Sequence, residues 1–132
     1  PSLDANAIDE LLRFVSPVQM SRRVVLHDIT IRDKTIPKGM FVLTGLASAN
    51  RDPEKWGPTA DDLDIVREGA AQHVSFGSGI HYCLGASLAR LEAQVAIGTF
   101  VRRFPNARLV GEPEWNGRIN LRGLEHLPVA VD

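Results

Sequence analysis

The sequence predicts a mainly α-helical fold carrying small β-hairpins, α+β over these 132 residues, and three observations predict it. Apolar residues recur at helical spacing near the start. Residues 22–45 are dominated by β-branched side chains broken by turn signals. An Ala/Leu-rich run of helical length then follows a glycine-framed turn. The length suffices for one domain with a core and not for two, so residues 1–132 are read as one unit.

Each element has a local reason. Ile8, Leu11, Leu12 and Val15 follow the i, i+3, i+4, i+7 rule of one buried stripe, with Ser2 or Asp4 as cap and Pro17 as stop. In "RRVVLHDITIRDKTIPKGMFVLTG" short strands are expected at Val24–Leu26, Ile29–Ile31 and Met40–Thr44, with "RDK" and "PKG" as turns. Residues 47–72 have no sustained period, and a long connection of that kind is usually functional or held by special contacts. Ala86–Arg103 reads as one helix of about five turns. Its apolar residues, among them Leu88, Leu91, Val95, Ile97 and Phe100, cover most of its circumference, which predicts burial on most sides. Arg102 and Arg103 suit the negative end of its dipole, and Pro105 stops it. The tail, "ARLV" and "GRINLRGLEHLPVAV", suggests strands and a hairpin turning at Arg122 and Gly123. These elements leave few surfaces to cover the second helix, so the chain reads as part of a larger fold.

Charge and cysteine usage narrow the function classes. Fifteen basic against sixteen acidic side chains give a net charge of −1, so no nucleic-acid partner is implied. No apolar run approaches the length of a membrane helix and no signal peptide is visible; one cysteine fits a reducing compartment, here taken as cytoplasmic. The chain begins at Pro1 without an initiator Met, so the natural start is expected to lie upstream.

The lone thiol, Cys83, sits in "HVSFGSGIHYCLGASLARLEA", among Gly77, Gly79 and Gly85 and directly before the long helix. A thiol there meets free N–H groups and the positive end of a helix dipole, which favour the thiolate. Such a group is core filler, a soft-metal ligand or a nucleophile. A nucleophile needs a base, and His81, two residues away in an extended turn, would face the other side. A zinc site needs further ligands, and His27, His73 and His126 share no ligand spacing with Cys83. One thiolate without protein co-ligands suits an axial position of haem iron.

"FGSGIHYCLGASLARLE" resembles the haem-binding signature of the cytochrome P450 family through Phe76, Gly77, Gly79, His81, Cys83 and Gly85. "ELLR", Glu10 to Arg13, is similar to the family's Glu-x-x-Arg helix, and "NRDPEKW…LDIVRE" resembles its irregular meander, ending in Arg67, with Trp56 and Leu63 where relatives often carry Phe. The resemblance implies the C-terminal, haem-proximal portion of that fold, of the soluble bacterial type, with the distal pocket and most substrate contacts outside these residues. It implies Cys83 as catalytic and metal ligand, and Phe76, Gly77 and Gly85 as its packing and clearance. His81 and Arg23 are implied as propionate partners, Arg22 competing with Arg23 because a strand turns only one of two neighbours to a given face. Read alone, Glu10 and Arg13 make a surface ion pair opposite the apolar stripe; the resemblance places them with Arg67 in a buried scaffold triad. Val18 to Met20, with Asn120 and Leu121, match positions bordering the substrate pocket.

The resemblance implies a haem b monooxygenase that takes electrons from NAD(P)H through a ferredoxin and ferredoxin reductase and oxygenates a small organic substrate. A peroxide-dependent variant needs no electron donor. The alternative is a haem-free fragment acting as a self-associating or interaction domain, for which apolar surface bared by truncation would drive a homodimer.

Overall fold

The structure, a computed structural model, describes residues 2–131 and the side chains of residues 5–131. Helix α1 spans Ser2–Val15; the caps expected at Ser2 and Asp4 lie outside the described side chains. Pro17 follows two residues after the helix end, and Ser16 turns the chain with φ 35°.

Two antiparallel ribbons come next. Strand β1 (Met20–Val24) pairs with β4 (Phe41–Gly45), from Met20 opposite Gly45 to Val24 opposite Phe41. Between them β2 (Ile29–Ile31) and β3 (Lys34–Ile36) form a hairpin across Arg32 and Asp33. The first strand therefore lies earlier than the Val24–Leu26 expected, because the reach of β4 to Gly45 sets its length; only Val25 continues the pairing, donating to the Met40 carbonyl at 3.0 Å. The three residues of β3 are too short to show a period, and β4 sits one position later than expected.

The irregular stretch contains two four-residue helices, α2 (Leu46–Ala49) and α3 (Pro53–Trp56), and a 3-10 turn at Ala70–Gln72. Asp52 caps α3 by accepting from the Glu54 amide at 2.9 Å, and Pro53 suits its first position. After a second 3-10 turn, Gly79–His81, helix α4 runs Ala86–Arg103, the span its sequence predicts. The tail forms two more ribbons, β5 (Arg108–Leu109) with β8 (Val129–Ala130) and β6 (Glu114–Trp115) with β7 (Leu124–His126). The β6–β7 loop does not simply reverse at Arg122 and Gly123. It reaches back to the end of α1, where Arg122 N–H donates to the Pro17 carbonyl at 2.8 Å and Leu121 bridges Val18.

Burial departs from expectation on both helices. Within this chain only Ala86 of α4 is buried, and Leu88, Leu91, Val95, Phe100 and Val101 stand exposed. On α1, Ile8 is buried but Val15 is exposed, while Asp9, Glu10 and Arg13 are buried. The centre of the chain is therefore a polar knot between α1, the irregular stretch and the cysteine loop. It remains stable because its groups are mutually bonded: no buried side-chain nitrogen or oxygen among the described residues lacks a partner.

Candidate haem-thiolate site

Glu10 and Arg13 hold the irregular stretch from α1. Arg13 donates Nε to Glu10 Oε2 at 2.7 Å and Nη2 to Oε1 at 2.9 Å, and both side chains are fully buried. Arg67 Nε reaches the same Oε1 at 3.1 Å, and the Asp64 amide donates to it at 2.9 Å. The remaining guanidinium donors go to backbone carbonyls and, from Arg67 Nη1 at 3.2 Å, to the Thr59 hydroxyl. Arg13 takes those of Asn50 and Ala60 at 2.7 Å and Asp62 at 2.9 Å, and Arg67 takes Thr59 at 2.7 Å and Asp62 at 3.0 Å. This answers why a stretch without periodicity is ordered: its carbonyls are tied to two arginines that share one carboxylate. Burial pushes the Glu10 carboxyl up, but hydrogen bonds from Arg13, the Asp64 amide and Arg67, with the Arg13 charge, outweigh it and hold the carboxyl below its ordinary value. A helix-surface pair is thus replaced by a buried one.

Next to this knot, Asn50 fixes the chain entering the cysteine loop. Its Nδ2 donates to Ser16 Oγ at 2.6 Å and Ser75 Oγ at 2.8 Å, and its Oδ1 accepts the Val74 amide at 2.8 Å. Ser75 Oγ donates to the Leu12 carbonyl at 2.7 Å. The loop then closes on itself as Cys83 N–H donates to the Phe76 carbonyl at 3.0 Å. Gly77 and Gly79 adopt φ of 73° and 68°, a left-handed conformation that favours glycine. Gly85 differs. Its φ is −84°, and an added Cβ would meet Cys83 Sγ at an ordinary 3.9 Å, so turn geometry does not require glycine there.

Cys83 is exposed in this chain and opens onto a cleft of about 780 Å³. Phe76, Gly77 and His81 line the loop side of this cleft, and residues 20–24 of β1 line the other. Because Gly79–His81 is a 3-10 turn and not extended chain, His81 borders the same cleft as Cys83, contrary to the expectation that it faces away. Alternation does not separate Arg22 from Arg23 either. Both border the cleft, since β1 pairs with β4 along one edge and offers the other. The Arg22 guanidinium lies over the Phe41 ring at 5.2 Å, while Arg23 bonds the Ser21 hydroxyl and, at 2.9 Å, the Arg22 carbonyl. Val18 and Met20 line the cleft; Asn120 is strapped beside them, its carbonyl accepting the Gln19 amide at 3.0 Å. Among the described residues no group of three or more His, Cys, Asp or Glu gathers to hold a metal ion, so a metal at Cys83 would have to bring its other donors with it.

Sequence reasoning missed a second cluster. Asp9 of α1 accepts Arg90 Nε of α4 at 2.7 Å and lies 3.2 Å from His73 Nε2. His73 Nδ1 accepts the Ser75 amide at 3.1 Å, so the ring proton sits on Nε2 and points at Asp9. Burial keeps this imidazole's pKa below its ordinary value, against the pull of Asp9. Asp9 precedes Glu10 in "IDELLR", and adjacency to a buried acid was the only signal that could have found it.

Comparison with known proteins places this architecture. The sequence model of the family described as Cytochrome P450 matches residues 3–114. The chain superimposes on the structure of P450BioI in complex with a hexadec-9Z-enoic acid ligated acyl carrier protein with a TM-score of 0.94 at 45% identity, covering all of this chain and 34% of that one. The chain belongs to the cytochrome P450 family. It is 47% identical to cytochrome P450 CYP107DY1 of Priestia megaterium, over 98% of this chain and 32% of that protein. It is 48% identical to the vitamin D(3) 25-hydroxylase of Pseudonocardia autotrophica, over 99% and 33%. The chain thus spans about a third of the length of these bacterial relatives. Among its described residues no helix is long and apolar enough to cross a membrane.

Proposed function

We propose that residues 1–132 form the proximal wall of a haem-thiolate monooxygenase, with Cys83 as the iron's only protein ligand on this side. The observation that carries the reading is the cleft that gathers one thiol, one imidazole and two guanidinium groups around apolar walls. Such a donor set fits haem b. A soft anionic sulfur suits iron, cationic side chains suit carboxylates, and Leu12, Val18, Val24 and Phe76 suit the flat apolar macrocycle. When bound, the haem supplies dioxygen activation and transfer of one oxygen atom to an organic substrate.

The chain's own residues bind and orient. Cys83 presents its sulfur from a loop closed by the Phe76 carbonyl, and Phe76 lines the cleft beside it. His81 and Arg23 pair with the propionates, with Arg22, stacked on Phe41, as the competing arginine. Gly85 leaves clearance for the macrocycle beside the sulfur, which explains a glycine that the turn itself does not require. The Glu10, Arg13 and Arg67 triad holds the irregular stretch beneath the cofactor. Val18 and Met20 border the substrate, a small organic molecule whose remaining contacts come from outside this chain. Electrons come from NAD(P)H through a ferredoxin-type donor, in a protein of the cytoplasm.

The test is the spectrum of the reduced, carbon monoxide-bound protein. A thiolate-type Soret band that disappears in Cys83→Ser supports the reading. A spectrum unchanged by that substitution contradicts it.

A further inference from the structure

Two consecutive acids on α1 serve different segments. Glu10 holds the irregular stretch, whereas Asp9 reaches the cysteine loop from both of its ends. Through His73 it touches the strand of chain that enters the loop: the His73 side chain is fully buried, its Nδ1 holds the Ser75 amide, and its ring lies 5.7 Å from that of Phe76. Through Arg90 it touches the chain that leaves. Arg90 gives Nε to Asp9 at 2.7 Å and Nη1 to the Tyr82 hydroxyl at 3.0 Å, and its guanidinium covers the Phe76 ring at 4.8 Å. Phe76 in turn supplies the carbonyl that closes the loop on Cys83 N–H. Both residues flanking the loop closure, Phe76 and Tyr82, are therefore fixed by a single carboxylate on another helix.

We propose that Asp9, His73 and Arg90 form a clamp whose task is to position the Cys83 sulfur, by locking Phe76 and Tyr82 between α1 and α4. None of the three lines the cleft, so they are positioning residues and act only through the loop. A buried charge-assisted pair resists small displacements, and a sulfur must be held to a fraction of an ångström to ligate iron well. In a loop whose Gly77 and Gly79 favour conformational freedom, the fixing has to come from outside; Asn50 holds the entering chain at Val74 and Ser75, and Asp9 holds the loop through Phe76 and Tyr82.

This inference rests on the proposed thiolate ligation, and the test separates the two. In the haem-loaded protein, amide hydrogen exchange at Cys83 is compared with exchange along the β1–β4 ladder, for wild type, Asp9→Asn, Arg90→Gln and the double variant. Removing a charged partner should speed exchange at Cys83 about tenfold while the ladder stays unchanged, and the double variant should add little to either single one. At equal haem content, both single variants should show a several-fold larger share of reduced carbon monoxide complex lacking the thiolate-type Soret band. Asp9→Glu, which keeps the carboxylate, should recover part of it. Exchange at Cys83 that rises only in step with the ladder overturns the clamp. Faster exchange with an unchanged band overturns the positioning role. A wild type without the thiolate-type band rejects the proposed function instead, while the exchange data still decide whether the clamp holds the loop.

Discussion

Glu10 is fully buried and receives hydrogen bonds from two arginines and one backbone amide, so its neutral replacement leaves two buried cations without their shared carboxylate. Glu10→Gln should therefore destabilise the protein by about 3–5 kcal/mol, read by denaturant unfolding, and haem content should fall with it. The cysteine-loop glycines separate by role. Gly77→Ala forces a side chain into φ 73° and should cost about 1–2 kcal/mol with or without haem. Gly85→Ala sits at an ordinary φ and should leave the apoprotein as stable as wild type while weakening haem retention. Equal effects of the two on the apoprotein would contradict this division. The triad was readable only through the family resemblance, since spacing alone made Glu10 and Arg13 a surface pair and gave no place to Arg67. Asp9, Asn50, His73 and Ser75 were not, since buried polar residues that satisfy one another leave no periodic trace.

At the scale of elements, the limits of α4 were legible to the residue because Gly85 and Pro105 bracket an Ala/Leu-rich run without proline. The place of β1 was not, since a short ribbon takes its ends from its partner and not from its own β-branched residues. The circumferential apolarity of α4 predicts burial on most sides, yet here Leu88, Leu91 and Val95 each remain more than half exposed. Apolar surface of that extent drives association. The 132-residue polypeptide on its own should sediment as a concentration-dependent oligomer, and Leu88→Gln with Val95→Gln should weaken that association about tenfold, by the loss of roughly 1–2 kcal/mol of buried apolar surface. A monomer at every concentration would show that α4 is covered in another way.

For the whole molecule, the sequence shows family membership, because thiol, glycines and the Glu-x-x-Arg helix all lie within the family match. Substrate choice was not legible. Only Val18 and Met20 of the expected substrate positions line the cleft, and the relatives extend over roughly three times this chain's length. The proposed function turns on one bond, between iron and the Cys83 sulfur. X-ray absorption at the iron edge of the haem-loaded protein should show a single sulfur in the first coordination shell, replaced by oxygen or nitrogen in Cys83→Ser. An iron shell without sulfur in the wild type, or one that keeps its sulfur in Cys83→Ser, would contradict the account.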